Sequence, residues 1–399
     1  MSCFIESELG KLRRGLRGRR ALSYSYGTAP RLGWRPALDG LRGLAVLGVM
    51  AFHFETHTWL PGGSLGVDVF FVLSGFLITT LLLQEWASSS SISLRAFYAR
   101  RALRLLPALA AFLAIYMLIS IGLRDLDFTG HQSQGKVLVS SLAALTYLFN
   151  WALAAVGSPR GFSHLWTLSV EEQFYLLWPV LLLILLRCRT KPTVLILITT
   201  TLAALSAGLP LLANSGDHYS RLYRGTDFRL QEFLAGSILA QLYVTGIIKR
   251  DIVQSPGFKL LVGAAMGFFA YWLLALTNRA EFLFDGWYTL TSVASSVLVA
   301  ACTFVDKGLP KALLANRVLV YIGRRSYALY LWHFPLSYWL RDLDFIPHVL
   351  LATALSFTLA EVSYRLVERP ALMLKDQLRR QQAGNDVRLP KPHPLAEAA

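Results

Sequence analysis

Charged residues and cysteines are both scarce in this sequence, and each shortage narrows the class of protein. Only 16% of the 399 residues are charged, whereas 54% are hydrophobic. Soluble domains carry charge on about 25% of their residues, so the composition indicates a polytopic membrane protein. The three cysteines, Cys3, Cys188 and Cys302, are too few and too scattered for a disulfide or zinc framework. We therefore expect no metal site.

Acidic residues are also few: 24 Asp and Glu stand against 39 Lys and Arg, which gives a net charge of +15. The basic residues occur in short runs between apolar segments, as the positive-inside rule requires, so we expect no nucleic-acid partner. Residues 1–33 are rich in arginine and lack the apolar run of a signal peptide. They predict a basic cytoplasmic leader, and residues 373–399 predict a basic, disordered cytoplasmic tail.

The sequence is rich in long apolar runs. Eleven of them approach the roughly 20 residues that a helix needs to cross a bilayer. They are 37–57, 66–84, 105–123, 136–155, 168–187, 192–213, 225–247, 258–276, 285–304, 319–340 and 346–367. The basic clusters share one side only if 136–155 dips into the bilayer and returns. The sequence thus predicts an all-α polytopic membrane protein with about ten transmembrane helices plus one re-entrant or interfacial segment, both termini being cytoplasmic. Eleven spans are the alternative.

The first apolar run contains ionisable residues, which lipid disfavours. Asp39 and Arg42 are three positions apart and can pair on one helix face. His53 follows Arg42 by eleven positions, about three turns, so it lies on the same face roughly 16 Å along the axis. Ionisable residues inside a span usually have a function, and we predict a catalytic site from all three. A polar packing patch between helices is the structural alternative.

Carboxylates near two other runs are candidates for the same site. The short loop 60–64 makes the first two helices antiparallel, so we expect Asp68 to approach His53 and orient its imidazole. Glu172 is a second candidate for that role. Its neighbour Glu171 is a candidate for binding acceptor hydroxyls. The alternative for one of these glutamates is to cap the N-terminus of its helix, where negative charge is favourable.

Arg100, Arg101 and Arg104 follow the second run and predict a cofactor site. On a helix, Arg100 and Arg104 share a face, with Arg101 beside them. Guanidinium groups bind phosphate and pyrophosphate well, so we expect these arginines to hold a phosphorylated cytoplasmic cofactor such as coenzyme A. A topology signal that contacts anionic lipid is the alternative.

Further polar and aromatic side chains lie near the ends of the later runs. We predict that these contact the substrate: His164, Trp166, Arg229, Tyr327 and His333. Structural alternatives exist for three of them. Trp166 is also typical of an interfacial aromatic belt, Arg229 can pair with Asp227, and His333 can bond to a neighbouring helix. Glu368 is expected to close the last helix against an arginine.

Taken in order, these motifs resemble the acyltransferase 3 family of integral membrane O-acyltransferases over residues 34–372. The matching motifs are LDGLRG (38–43) with His53, GVDVFFVLSGF (66–76), FYARR (97–101), WTLSVEEQFY (166–175), SYALYLWH (326–333) and ERP (368–370). The resemblance implies a bacterial inner-membrane enzyme with about ten helices and a transmembrane acyltransferase domain. It implies acyl-CoA, acetyl-CoA foremost, as a donor from the cytoplasm. The implied acceptor is a hydroxyl of a sugar, glycolipid, other glycoconjugate or glycosylated metabolite.

The resemblance also assigns roles to residues. Arg42 and His53 correspond to the arginine and histidine that the family needs for activity. On this interpretation His53 is the general base, Arg42 faces the thioester or the pantetheine arm, and an acyl-histidine intermediate is an alternative to direct transfer. Some relatives carry a C-terminal hydrolase-like domain, which this chain is expected to lack.

A transporter or flippase of a lipid-linked or polymeric glycan is the rival hypothesis. Intramembrane ionisable residues fit such a protein equally well. The sequence has no internal repeat, however, and the cluster of Arg100, Arg101 and Arg104 favours a phosphorylated donor. Both observations favour the enzyme.

Overall fold

The computed structural model describes residues 32–54, 60–122, 134–212, 219–276, 286–305 and 308–374. The predicted leader and tail therefore lie almost entirely outside the described residues. Within these ranges all regular secondary structure is helical. The predicted all-α fold class is confirmed.

The helices begin and end as follows: α1 Pro36–Phe54, α2 Gly66–Ser89, α3 Leu94–Gly122, α4 Gln134–Leu145, α5 Phe149–Val156, α6 Trp166–Arg187, α7 Pro192–Leu212, α8 Tyr219–Arg224, α9 Thr226–Val244, α10 Arg250–Gln254, α11 Pro256–Ala275, α12 Trp287–Phe304, α13 Leu309–Leu314, α14 Arg317–Arg324, α15 Ser326–Trp339 and α16 Phe345–Ser363. Short 3-10 turns at Pro61–Leu65 and Ser163–Leu165 lead into α2 and α6. A π-helical segment, Tyr364–Glu368, continues α16.

Eight of the described helical segments are long and apolar enough to cross a membrane. They comprise α1, α2, α3, α6, α7, α11, α12 and α16, some with the short turns that adjoin them. Two further elements have the length of a crossing but a different character. Helix α9 is 19 residues long but carries buried Arg229 and Glu232, and α14 and α15 follow each other with a break at Arg325. With these two, the described residues contain ten candidate crossings, in line with the roughly ten that the charge pattern predicts.

The predicted re-entrant segment 136–155 is broken. It forms α4 of 12 residues and α5 of 8 residues, separated by a turn in which Tyr147 has a φ of 56°. Each helix is too short to cross a bilayer, and both pack against neighbouring transmembrane helices. This is the structure expected of a segment that enters the bilayer without spanning it.

Helix α2 is the centre of the bundle, and the peripheral helices present leucine to lipid. In the span that contains α2, 78% of the residues are buried, against 17% for α7 and 11% for α11. The most apolar helices are the least enclosed because the bilayer itself solvates their side chains. Leu260 and Leu274 of α11 are 76% and 68% exposed.

Glycines allow the central helices to approach closely. A Cβ on Gly75 of α2 would lie 1.9 Å from the Phe233 carbonyl oxygen of α9, and one on Gly236 would lie 2.0 Å from that of Val72. Small residues at helix interfaces have this role in membranes. We call the membrane side at which α1 begins, at Pro36, the N-terminal face and the other side the opposite face.

Candidate functional site

A polar cavity lies inside the bundle, between α1, α2, α3, α6 and α15. Its charged lining consists of Arg42, Arg101, Arg104, Glu171 and Glu172, and its uncharged polar lining consists of Ser74, Tyr147, Thr167, Tyr175, Ser326, Tyr327 and Tyr330. The cavity is narrow, with a volume of about 80 Å³. Such a concentration of charge inside a membrane protein marks a functional site.

Arg101 and two glutamates form the ionic centre of the cavity. The guanidinium lies 3.5 Å from Glu171 and 3.3 Å from Glu172, and its Cζ atom is 3.3 Å from the centroid of the Tyr175 ring. Glu171 also accepts hydrogen bonds from Ser74 Oγ, at 2.5 Å, and from the Tyr175 hydroxyl. Neither glutamate caps α6, whose N-cap is Leu165. The capping alternative is therefore wrong.

Two other arginines line the cavity. Arg42 Nη2 donates to Ser326 Oγ at 3.2 Å. Arg104 lines the cavity one helical turn beyond Arg101. Glu368, buried in the π-helical segment, interacts electrostatically with Arg104, Arg325 and Arg42, but its Oε1 accepts no hydrogen bond from the residues that the structure describes. Its closure of the last helix against an arginine stays a prediction.

The three predicted cofactor arginines do not act as one cluster. Arg100 points away from the cavity, where it lies 3.7 Å from Glu85 and is 39% exposed. Arg101 is offset by its two glutamates, which leaves Arg104 as the predicted cofactor arginine with the least carboxylate around it. The sequence identified the helix but could not reveal the carboxylates on its neighbours.

His53 lies beyond the cavity, paired with another histidine. Its Nδ1 is 2.9 Å from His333 Nε2. His333 Nδ1 lies 2.8 Å from the Tyr330 carbonyl oxygen and 3.1 Å from that of Leu329. Carbonyl oxygens only accept, so His333 Nδ1 donates, and its Nε2 accepts from His53 Nδ1–H in the neutral pair. His53 Nε2 is then the basic nitrogen.

Tyr330 lies between the end of the cavity and the histidine pair. The Tyr330 hydroxyl is 2.6 Å from Thr167 Oγ1, in the cavity wall, and donates to the His164 carbonyl oxygen at 3.0 Å. The His164 ring lies 5.6 Å from the His333 ring, centroid to centroid. The predicted substrate residues His164 and His333 are thus neighbours, beside the end of the cavity. Tyr327 lines the cavity and donates to the Leu105 carbonyl oxygen at 3.0 Å.

Asp68 does not orient His53, contrary to the prediction. Asp68 Oδ1 accepts from Arg229 Nη2 at 2.5 Å, and Arg229 Nε lies 3.4 Å from Glu232. All three side chains are buried. The rotation of α2 turns Asp68 toward α9 instead of α1, and a sequence does not fix this rotation. His333 takes the position expected for Asp68 or Glu172.

We call the buried group of Asp68, Glu232 and Arg229 the acidic centre. Arg229 and Trp166, both predicted to bind substrate, lie there. The guanidinium of Arg229 is surrounded by the rings of Phe71, Trp166, Tyr223 and Tyr288. Trp166 is 5% exposed and is therefore not part of an interfacial belt. The suggested partner of Arg229, Asp227, pairs with Arg221 at 2.7 Å.

Asp39 also has a different partner from the predicted one. Its carboxylate accepts from Trp34 Nε1 at 3.0 Å and faces Arg324 Nε at 3.8 Å, whereas Arg42 turns to Ser326. The contact with Arg324 joins α1 to α14. In the residues that the structure describes, no group of His, Cys, Asp or Glu could hold a metal ion.

Residues 35–364 match the family model described as the acyltransferase domain of acyltransferase 3. This chain belongs to the acyltransferase 3 family. The predicted resemblance is confirmed. Five of the acyltransferase 3 motifs meet around the cavity: Arg42 comes from LDGLRG, Ser74 from GVDVFFVLSGF, Arg101 from FYARR, Glu171 from WTLSVEEQFY and Tyr327 from SYALYLWH.

Curated relatives of this acyltransferase 3 protein come from Staphylococcus aureus. One, from strain MSSA476 and provisionally named an O-acetyltransferase, is 36% identical over 353 residues, which cover 84% of this chain and 57% of the relative. O-acetyltransferase OatA of strain NCTC 8325 / PS 47 is 33% identical over 351 residues, with the same coverages. This chain thus spans little more than half the length of these relatives. No solved structure matches it.

The sequence analysis missed several residues of the site. Ser74, Tyr175 and Ser326 were quoted within motifs but given no role, yet they bond to Glu171 or Arg42. Tyr175 lies four positions after Glu171, so the i,i+4 rule could have identified it. The partner of Arg42 comes from a helix 284 residues away, and no local pattern predicts that.

Proposed function

We propose that this protein is a membrane O-acyltransferase of a bacterial plasma membrane, with acetyl-CoA as donor. The acceptor is a hydroxyl of a sugar, glycoconjugate or glycosylated metabolite. The observation that carries the proposal is one cavity, lined by five family motifs, that runs from three arginines to Tyr330, whose ring lies 5.3 Å from the His333 ring, centroid to centroid. The O-acetyltransferase names of the relatives support the acetyl group and the hydroxyl acceptor.

The donor enters from the N-terminal face, which the basic residues assign to the cytoplasm. Arg42 and Arg104 lie toward this end, and their charge favours an anionic donor. The cavity, with a volume of about 80 Å³, is too small for a nucleotide. The nucleotide therefore stays at the mouth, and the arm carries the thioester toward Tyr330.

His53 is the general base. As the acceptor oxygen forms its bond to the thioester carbonyl carbon, His53 Nε2 takes the hydroxyl proton. The carbon–sulfur bond then breaks, the coenzyme A thiolate leaves with the electron pair, and protonated His53 supplies the proton that makes it a thiol. His333 holds the tautomer of His53 that this step requires, through the bond to the Tyr330 carbonyl oxygen.

Arg42 acts on the donor and not on the reacting bond. Arg42 and His53 are roughly 16 Å apart along α1, so they do not meet at one thioester carbonyl. The hydrogen bond to Ser326 fixes the guanidinium in the cavity wall, where it can hold the polar groups of the arm. The oxyanion is stabilised by donors close to His53.

The test is release of coenzyme A by purified protein in detergent. A thiol-reactive dye follows acetyl-CoA turnover with and without a pool of glycan acceptors. We expect acceptor-dependent release by the wild type, and a loss of at least a hundredfold in His53→Ala. His131→Ala, a histidine replaced elsewhere in the chain, should retain activity. Turnover by His53→Ala at the wild-type rate would refute the assignment of the base.

A further inference from the structure

A second pocket lies close to the cavity at the N-terminal face, and we call it the basic pocket. It is lined by Arg325, Glu361, Tyr364, Arg365, Arg369, Leu372 and Met373, and its volume is about 380 Å³. It is formed where α14 meets α15 and where α16 passes into the π-helical segment.

Glu361 fixes the guanidinium groups of the basic pocket. Its Oε2 accepts from Arg325 Nε and, at 2.8 Å, from the Tyr321 hydroxyl. Its Oε1 accepts from Arg365 Nε at 2.5 Å. One carboxylate thus holds two arginines in place and offsets one of their charges. A pre-positioned guanidinium loses less conformational entropy when an anion binds.

The basic pocket retains an excess of positive charge. Three arginines stand against the single carboxylate of Glu361, and the Arg369 side chain has no hydrogen bond or ion pair with the residues that the structure describes. Paired guanidinium donors around an open space suit a phosphate group, which accepts bidentate hydrogen bonds. The pocket has the charge and the room for a phosphate ester.

Glu368 connects the basic pocket and the cavity electrostatically. Glu368, on the π-helical segment, interacts electrostatically with Arg325 of the basic pocket and with Arg42 and Arg104 of the cavity. The π-helical turn is rare in proteins and frequent at functional sites. Here it places Glu368 inside the protein, 7% exposed, while Arg365 and Arg369 remain at the surface.

The arginines of α3 are less suited to the donor phosphates than the sequence predicts. Arg101 already faces Glu171 and Glu172, and Arg100 faces Glu85. We propose that the basic pocket binds the phosphate groups of the acyl donor. The pantetheine arm then runs from there along Glu368 into the cavity. This inference depends on the function proposed above.

The experiment measures acetyl-CoA binding by calorimetry, on the full-length protein in nanodiscs of neutral phosphatidylcholine. The pocket variant carries Arg365→Gln and Arg369→Gln, two surface changes that leave the helix interior intact. The matched control carries Arg187→Gln and Arg189→Gln, which remove the same charge from exposed positions at the C-terminal end of α6. A second ligand, 3′-dephospho-acetyl-CoA, lacks one phosphate group.

We expect the pocket variant to bind acetyl-CoA about tenfold more weakly or worse, because charge-assisted hydrogen bonds are lost. The control should bind as the wild type does. Loss of the 3′-phosphate should weaken binding to the wild type and have little further effect in the pocket variant, as two changes at one contact are not additive.

Three results would overturn the inference, and they differ from one another. Equal affinity in wild type and pocket variant places the phosphates elsewhere and leaves the proposed function standing. Absence of acetyl-CoA binding by folded wild type removes the donor and the inference together. If the variant instead loses bound phosphatidylglycerol in native mass spectrometry while keeping its acetyl-CoA affinity, the pocket holds a lipid headgroup.

Discussion

At the scale of single residues, the bond between His53 and His333 decides which nitrogen can act as a base. A histidine in this position has an advantage over a carboxylate, because a neutral ring brings no second charge into the membrane. The Tyr330 carbonyl oxygen accepts a hydrogen bond from His333 Nδ1 and so fixes one tautomer, as a negatively charged partner would. The arrangement orients His53 at a smaller desolvation cost than a buried carboxylate would impose.

Replacement of His333 tests this role. We expect His333→Ala to lower kcat for acceptor-dependent acetyl transfer by ten- to a hundredfold, with little change in the KM for acetyl-CoA. Combined with His53→Ala it should cause no further loss, because both changes remove one function. Steady-state kinetics measures both effects. A rise in KM at unchanged kcat would show that His333 binds donor and does not position His53.

The buried charges around Arg229 are expected to be structural. Arg229→Gln leaves Asp68 and Glu232 without their cation, and breaking a buried pair from one side costs about 3–5 kcal/mol of stability. Arg221→Gln disrupts a partly exposed pair with Asp227 and should cost about 0–1 kcal/mol. Thermal unfolding in detergent compares the two. Similar melting temperatures would show that the acidic centre does not hold α2 to α9.

Residue identity was predictable from the sequence, but partners were not. Arg42 and Glu171 were recognised because a charge inside an apolar run is conspicuous, and Arg101 because it belongs to a cluster of three arginines. Asp39 and Asp68 were given the wrong partners. The choice of partner depends on the rotation of each helix about its axis, which the packing of distant segments determines. The transfer of a proton or an acyl group by any of these residues stays a prediction.

At the scale of elements, close contact between helices determines which distant side chains meet. Helices α2 and α9 approach until the backbone of one meets the glycines of the other, which places Asp68 and Arg229 in contact although 161 positions separate them. The same proximity positions Ser74, one residue before Gly75, against Glu171. A glycine interface between two helices thus supports a hydrogen bond to a third.

Gly75→Ala is expected to loosen this interface. The new Cβ would lie 1.9 Å from the Phe233 carbonyl oxygen, so the helices must separate, at a cost of about 1–3 kcal/mol. Gly263→Ala in α11, which has nothing within 4 Å, is the matched control and should be neutral or stabilising, because alanine favours a helix. Thermal unfolding measures both variants. Equal melting temperatures would contradict the close approach of α2 and α9.

The breaks within elements were harder to predict than the elements themselves. Apolar runs gave nearly every span, since hydropathy and length report them directly. The run 319–340 gave no sign of its break at Arg325, where α14 ends and α15 begins. That arginine bonds to Glu361, a partner from a different apolar run. A break that depends on a distant partner leaves little trace in local composition.

At the scale of the whole molecule, the fold separates two environments across one bundle. The arginines of the cavity and of the basic pocket lie toward the N-terminal face, and the histidine pair lies toward the opposite face. Under the proposed function, a donor in the cytoplasm and an acceptor on the opposite side of the membrane would meet inside the protein. The orientation of the protein in the membrane therefore determines which side supplies each substrate.

The proposed orientation can be tested with the native Cys188, which is exposed just beyond the end of α6. If the N-terminal face is cytoplasmic, a membrane-impermeant maleimide should label Cys188 only after cells are permeabilised. A cysteine introduced as Arg160→Cys, on the other side, should be labelled in intact cells. The reverse pattern would invert the protein and place the arginines outside.

The eleven-position interval between Arg42 and His53 fixes both the distance between them along α1 and the angle between them around its axis. Each added residue turns a helix by about 100° and lengthens it by about 1.5 Å. One insertion between the two would swing His53 away from His333 while every side chain of the site remained in the sequence. The number of residues between Arg42 and His53 therefore matters as much as the two side chains themselves.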